Sequence, residues 1–523
     1  MQFMYPKDCL ASSSNNIIFK VINLLCTLLF GITILLLLTS KAENFTRPWM
    51  FTVAIILAIG FAWLHSKMKE CPSRKWIFIL SFLFSIFQIV IVQSYLFETG
   101  WDVWTLLRAA ESTAFGTEWI PWFDIYYSVY PNNCLITVIY SFIFEIFPAN
   151  PPILTIICLN CLLSGFASYL LYKTVCIIKD DTSGVAVWLL YWLILGLSPW
   201  ISITYSDPLV LIFPVLAFYL FFYDKEVIQV KDTSSAVFYA KHIICIGLVF
   251  FFSGVGYHIK PQTLIPGIAI FICIFFQNLD SRNYRLMIID CIVPMMGLVL
   301  SVAVCDVIST IPMLTLNEEA TFSPSHWIMM GLNPDSLGRY SENDVNFSKS
   351  FLTQAERWAG NLEVIWSRLS DYGFLGYIQL LKNKLTICMG DGTFYWAKNC
   401  GPFFEVVYPY NSPLSEITKA FYYTDGKYYS VFHDFSNVLW VFLLVSILIG
   451  QIIHLIKKQK NDSYIVVYLT LLGLIAFELI FEVFPRHLYS FVPVFILAAE
   501  HGISALNHTL FNRFKYKNKE ERK

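Results

Sequence analysis

About twelve stretches of this chain are continuously apolar over the roughly 20 residues that one bilayer crossing requires, and this constrains the fold more than any other feature. They run near 17–39, 49–65, 76–97, 152–175, 184–200, 208–223, 242–256, 262–277, 286–306, 431–456, 464–481 and 488–506. With 57% hydrophobic and only 14% charged residues, the chain has more apolar surface than a water-soluble core can hide. In lipid only helices and closed barrels satisfy their own backbone groups, and these runs lack the alternation of a barrel strand. The expected class is all-α: a polytopic membrane protein of about 12 transmembrane helices. The first run is long and has no small-residue cleavage pattern, so it is expected to stay as an anchor.

Lys and Arg set the expected orientation. Lys67, Lys69, Arg74, Lys75, Lys173, Lys179, Lys225, Lys231, Lys241, Arg282, Arg285, Lys457, Lys458, Lys460 and the tail from Arg513 fall on one side, which is assigned to the cytoplasm. The parity requires that Cys134–Phe147 not cross. At about fourteen residues it is too short for a comfortable span, and a re-entrant or juxtamembrane helix is expected. Both termini are then cytoplasmic in a multi-pass plasma-membrane protein. Four segments follow: an N-terminal hairpin (1–66), a transmembrane core with a first outer loop at 98–151 (67–306), a long outer loop (307–430), and C-terminal spans with a basic tail (431–523). Within the long loop, LEVIWSRLSDYGFLGYIQLLKNKL has the apolar spacing of amphipathic helices on a membrane surface.

Most of the 13 cysteines sit inside apolar runs as small hydrophobes. Cys388 and Cys400 share the outer loop, where either a disulfide or two free thiols fits the sequence. A net charge of −1 gives no sign of nucleic-acid binding, and the basic tail FNRFKYKNKEERK is read as a positive-inside anchor. A secondary transporter or lipid-linked glycan flippase would place paired ionisable groups at mid-membrane and show repeat symmetry; here most acids lie at span ends and no repeat is visible.

The polar segments between spans carry a recognisable order. GWDVWTLLRAAE and YYSVYPNN lie in the first outer loop, LSPWISITYSDP and YHIKPQ at the next outer turns, HWIMMGLN and KNKLTICMGDGTF in the long loop, and FEVFPRHLYSFVPVF near the end. Together they resemble the GT-C superfamily of membrane glycosyltransferases, in the bacterial branch of protein O-mannosyltransferases and aminoarabinose transferases. The resemblance implies transfer of a sugar from a polyprenyl-phosphate carrier to an outer-face glycan, lipid or protein acceptor. It implies no cofactor and no metal, and the chain has no HExxH or clustered histidines. A glycan polymerase or ligase would share the same outer-face site.

Asp102, early in the first outer loop, fills the position of the catalytic acid in the GT-C pattern, and an inverting transfer needs such a carboxylate as general base. An Asp capping the following helix is the plainer reading. Glu111, nine residues on, lies about 180° around a helix from Asp102 and is no partner to it. Asp207 in TYSDP is the second catalytic candidate. Lys260 and Arg486 stand in outer turns where the charge bias disfavours cations, flanked by His258 and by His487 and Tyr489, and so suit a lipid phosphate. Snorkelling to headgroups would explain them equally. Arg108, Glu111, Tyr127 and Tyr130 complete the expected substrate contacts.

The orientation is tested by cysteines placed in an otherwise cysteine-free background and exposed to a membrane-impermeant maleimide from outside. Thr117→Cys and Tyr395→Cys are expected to label, Glu70→Cys and Gln459→Cys to stay silent. Outside labelling at residue 70 would invert the topology.

Overall fold

The computed structural model describes residues 17–40, 44–68, 70–97, 99–230, 236–396, 413–457 and 462–512, with 226–230, 462 and 512 as backbone only. Every regular element among them is helical. In chain order they are α1 (Ile17–Thr39), α2 (Pro48–Lys67), α3 (Arg74–Gln93), α4 (Trp101–Phe115), α5 (Pro121–Val129), α6 (Cys134–Ile146), α7 (Pro152–Ile178), α8 (Asp181–Ile194), α9 (Ser206–Val210) and α10 (Ile212–Val230). The second half comprises α11 (Ala236–Ile259), α12 (Ile265–Asp280), α13 (Tyr284–Ile308), α14 (Pro324–Gly331), α15 (Glu342–Lys349), α16 (Gln354–Met389), α17 (Pro413–Tyr422), α18 (Tyr429–Lys457), α19 (Ile465–Ile480) and α20 (Val492–Asn507).

This is an all-α polytopic membrane protein. Ten helical stretches among the described residues are long and apolar enough to cross a bilayer, and α8 and α19 are shorter apolar helices. The expected run 184–200 is helical only to Ile194, and Pro199 opens a separate 3₁₀ turn to Ser202. The short segment after Asn133 forms α6, which meets α5 at a bend of 109°, and neither helix alone reaches a span's length.

The innermost stretch is Pro485–Phe511, whose most apolar window is wholly buried. Helix α20 packs on α18, α2, α8 and α19. A helix buried all round needs small residues where backbones meet. A Cβ on Gly502 would lie 1.8 Å from the Ser446 carbonyl oxygen of α18, and one on Gly450 would lie 2.7 Å from Gly502 Cα. The α1–α2 hairpin packs on α18, α19 and α20, and Phe45 N donates to Gly390 O at 2.9 Å.

At the end of the bundle rich in Lys and Arg, His242 of α11 lies between two buried acids, 2.9 Å from Asp224 and 2.7 Å from Asp290. At the opposite end α4–α6 and residues 309–396 and 413–428 cover the bundle. The TQAE sequence starts α16 with a reciprocal cap, Thr353 Oγ1 accepting from Glu356 N and Glu356 Oε2 from Thr353 N, each at 3.2 Å. The expected amphipathic segment is one long helix kinked at Gly373, whose φ of 54° suits glycine. Cys388 is buried with no disulfide to a described residue, and Cys400 lies outside the described residues. Of the labelling positions, Thr117 and Glu70 are exposed. Tyr395 cannot report, being only 5% exposed with its ring packed on Phe45 and Phe484, and Gln459 is outside the described residues.

Candidate functional site

Three turns meet at the loop-covered end. Gly100 leads into α4, and Trp101 takes a φ of 45°, a left-handed conformation that a bulky side chain holds only when its surroundings force it. Its ring meets Tyr205 edge-on at 5.2 Å. Asp102 follows in the first turn of α4, where the helix dipole favours an anion. Its Oδ2 accepts from the Tyr205 hydroxyl at 3.0 Å, and Tyr126 hydrogen-bonds to the same carboxylate. Tyr126 is itself anchored by Asn133 Nδ2, 2.7 Å from its hydroxyl.

The third turn is FEVFPRHLYS, between α19 and α20. Arg486 stands over the rings of Trp101 at 4.9 Å, Phe484 at 5.7 Å and Tyr205 at 5.8 Å. Stacking of this kind desolvates a guanidinium without removing its charge. Its Nε has no hydrogen-bond partner among the described residues. Asp207 most strongly, then Glu482, four residues earlier in sequence, and Asp102 lie within its electrostatic reach. Burial pushes the Asp102 carboxyl above its ordinary value, against the pull of Arg486 and the two tyrosine hydroxyls. Burial likewise raises Glu482, opposed by His487 and Arg486. Burial and the Asp102 charge push the Tyr205 phenol well up, so it stays a donor.

The expected site residues divide into three groups. Asp102 and Arg486 come together as above. Asp207 and Lys260, expected in separate roles as second acid and phosphate ligand, are instead partners in a buried ion pair. The physical reason is burial: a carboxylate there needs a neutralising cation, which Lys260 supplies in direct contact and Arg486 at longer range. The Asp207 backbone carbonyl accepts from Ser490 Oγ at 2.8 Å, which ties the pair to the turn after Arg486. His258 does not flank the Lys260 amine as a donor; its ring stands edge-on to Tyr257.

Of the remaining expected residues, Tyr127 and Tyr130 stand within electrostatic reach of the Asp102 carboxylate, Tyr130 also of Glu482. Arg108 and Glu111 form an i, i+3 pair at 2.9 Å, the arginine on the exposed face of α4. Tyr127 is fully buried and bonded to Thr137 at 2.6 Å. Tyr130 stacks beside Tyr126 and Phe322. His487 Nδ1 lies 3.0 Å from Glu478 Oε2, and Tyr489 packs on Trp200 and Phe394. Four residues at the centre were not singled out from sequence: Trp101, Tyr126, Tyr205 and Glu482. Glu482 had a signal, an acid four residues before Arg486 in a short turn. The aromatic three had none beyond adjacency to Asp102, Tyr127 and Asp207. No group of three metal-ligating side chains occurs among the described residues.

Residues 10–505 match a family profile described as conserved hypothetical integral membrane protein. No curated relative matches the chain. Among solved structures it is similar to the archaeal oligosaccharyltransferase AglB from Archaeoglobus fulgidus in complex with an inhibitory peptide and a dolichol-phosphate, at 15% identity and a TM-score of 0.40, over 85% of this chain and 52% of that one. A crystal structure of the Archaeoglobus fulgidus oligosaccharyltransferase in complex with Zn and sulfate is similar at 15% identity and a TM-score of 0.31, over 82% and 53%. The chain thus spans about half the length of these two proteins.

The Asp207–Lys260 pair makes a stability prediction. Lys260→Met strands a buried carboxylate and is expected to cost about 3–5 kcal/mol, whereas the Asp207→Leu/Lys260→Met double variant recovers most of that loss. Unfolding curves of the purified protein in detergent provide the check, and equal losses in single and double variants would rule out a mutual pair.

Proposed function

The chain belongs to the family of conserved hypothetical integral membrane proteins, and from that premise and the geometry of its site we propose that it is a membrane glycosyltransferase using a polyprenyl-phosphate-linked sugar. The observation that carries this reading is a half-buried carboxylate held by tyrosine hydroxyls in electrostatic reach of a ring-stacked guanidinium. The order of the polar motifs along the chain, which resembles the GT-C superfamily, supports it independently.

In the proposed reaction the acceptor hydroxyl attacks the anomeric carbon as the carbon–oxygen bond to the lipid phosphate breaks. Asp102 takes the hydroxyl proton, and its raised pKa makes it a stronger base than an ordinary aspartate. The phosphate leaves with the bonding electrons, and Arg486 stabilises the charge it gains. Tyr205 and Tyr126 fix the direction of the carboxylate. Glu482 is suited to accept hydrogen bonds from sugar hydroxyls. Asp207 and Lys260 cancel each other and support the Arg486 turn rather than touch the reactants. The proposed setting is the outer face of the plasma membrane, with a cell-envelope glycan as acceptor. Carriage of a lipid-linked substrate instead would draw on Asp224, His242 and Asp290, but that cluster is at the opposite end of its helices from Asp102.

Purified protein in nanodiscs, supplied with defined polyprenyl-phosphate sugars, tests the reading. Asp102→Asn is expected to lower turnover by about 10²–10⁴-fold while the protein remains folded. Because the base must be ionised, wild-type kcat/KM is expected to rise with pH through a limb above 3.8, the ordinary aspartate value. Near-normal turnover in Asp102→Asn would remove Asp102 from the chemistry.

The Arg486 role is tested separately. Two-point phosphate recognition predicts that Arg486→Lys and Arg486→Ala both lose donor affinity and turnover heavily, since a lysine keeps the charge but not the fork. A near-normal lysine variant would reduce Arg486 to a charge at the headgroup level.

A further inference from the structure

Lys384, on α16, is a buried amine with no exposed surface. Its Nζ donates to the Gly331 carbonyl at 2.9 Å and to the Phe481 carbonyl at 2.7 Å. Gly331 ends α14. Phe481 is the residue at which α19 stops, one position before Glu482, and its backbone has already turned extended. The amine therefore bridges a helix of the loop region to the start of the turn that carries Glu482 and Arg486. A cation suits a helix C-terminus, where carbonyls lack intrahelical partners.

The joint around this amine is closed on every side. A Cβ on Gly331 would lie 2.6 Å from Ile480 O and 2.7 Å from Phe481 O. Gly338, at φ +82°, lends its carbonyl to Val483 N at 2.9 Å, and a Cβ there would lie 3.0 Å from Lys384 Cδ and Cε. Arg368 also holds the end of α14, donating to Met329 O at 2.5 Å and pairing with Asp344 at 2.7 Å. Its recorded bonds do not reach α19, which makes it a control for general loosening of the loop.

We propose that Lys384 is a positioning residue that sets the Glu482–Arg486 turn by tying the carbonyl of Phe481 to that of Gly331. Its effect on donor handling rests on the glycosyltransferase reading; its effect on the turn does not. Without the amine two buried carbonyls lose their donor, and of the backbone ties between the start of this turn and the loop region the Gly338–Val483 bond is left.

The test compares Lys384→Met, which keeps the stem and removes the donors, with Arg368→Met. Hydrogen–deuterium exchange is followed on peptides covering 479–489, and KM for donor and for acceptor are measured with a polyprenyl-phosphate sugar. Lys384→Met is expected to speed exchange in 479–489 by about tenfold or more, the weight of a lost buried hydrogen bond, and to raise donor KM by a similar factor with acceptor KM unchanged. Arg368→Met is expected to leave both readouts near wild type even if it lowers the melting temperature. Unchanged exchange in Lys384→Met, or an equal rise in Arg368→Met, overturns the inference. If Lys384→Met does not fold, Lys384→Gln carries the test, since its shorter amide keeps a donor but cannot reach both the Gly331 and Phe481 carbonyls. Wild-type protein inactive with every donor would count against the proposed function, while the exchange data would still decide the role of Lys384.

Discussion

A guanidinium at the head of the innermost helix must be matched by groups brought in from elsewhere, and much of the site's architecture answers to that need. An unpaired charge in such a place costs several kcal/mol. Arg486 is met by the carboxylates of Asp207 from α9, Glu482 from its own turn and Asp102 from α4, and by rings contributed by three parts of the chain. Docking α4 this closely accounts for the unusual backbone at Trp101: a left-handed tryptophan, costing roughly 1–3 kcal/mol, brings its ring under the arginine while Asp102 keeps its place in the first helical turn. The GDGTF loop supports this arrangement from the far side. Asp391 accepts from the backbone of Thr393 and Tyr395, and the Tyr395 ring packs on Phe484, two residues from Arg486.

The helices were largely legible in the sequence because lipid leaves the backbone so few options. Each apolar run became a helix, and the charge asymmetry gathered Asp102, Asp207, Lys260 and Arg486 at one end, where the structure also has them. What the sequence did not disclose is which of these groups face each other. Asp207 and Lys260 are 53 positions apart, and nothing in either turn says that they neutralise one another rather than a substrate. Tyr126 and Tyr127 differ by one position, which on a helix is a rotation of about 100°. That rotation sends one hydroxyl to Asp102 and the other to Thr137. Glu482 and Lys384 were legible as charged residues near apolar runs. Their roles depend on the close approach of Gly331 and Gly338 to the end of α19, a tertiary contact with no local signature.

The central position of α20 has a consequence for how the molecule is made. Helices α2, α8, α10, α18 and α19, which enclose it, all precede it in the chain. A nascent chain emerges at about 5–20 residues per second, so α2, α8 and α10 are made many seconds before the helix they surround, while α18 and α19 precede it only briefly. They must therefore remain parted, or be kept so by the insertion machinery, until a slot with backbone-to-backbone clearance at Gly450 can admit Gly502. Arg486 and Glu482 arrive with that same segment. The fold is thus completed and its charged centre assembled in a single late event, and a chain stalled before α19 would be an anchored but siteless shell.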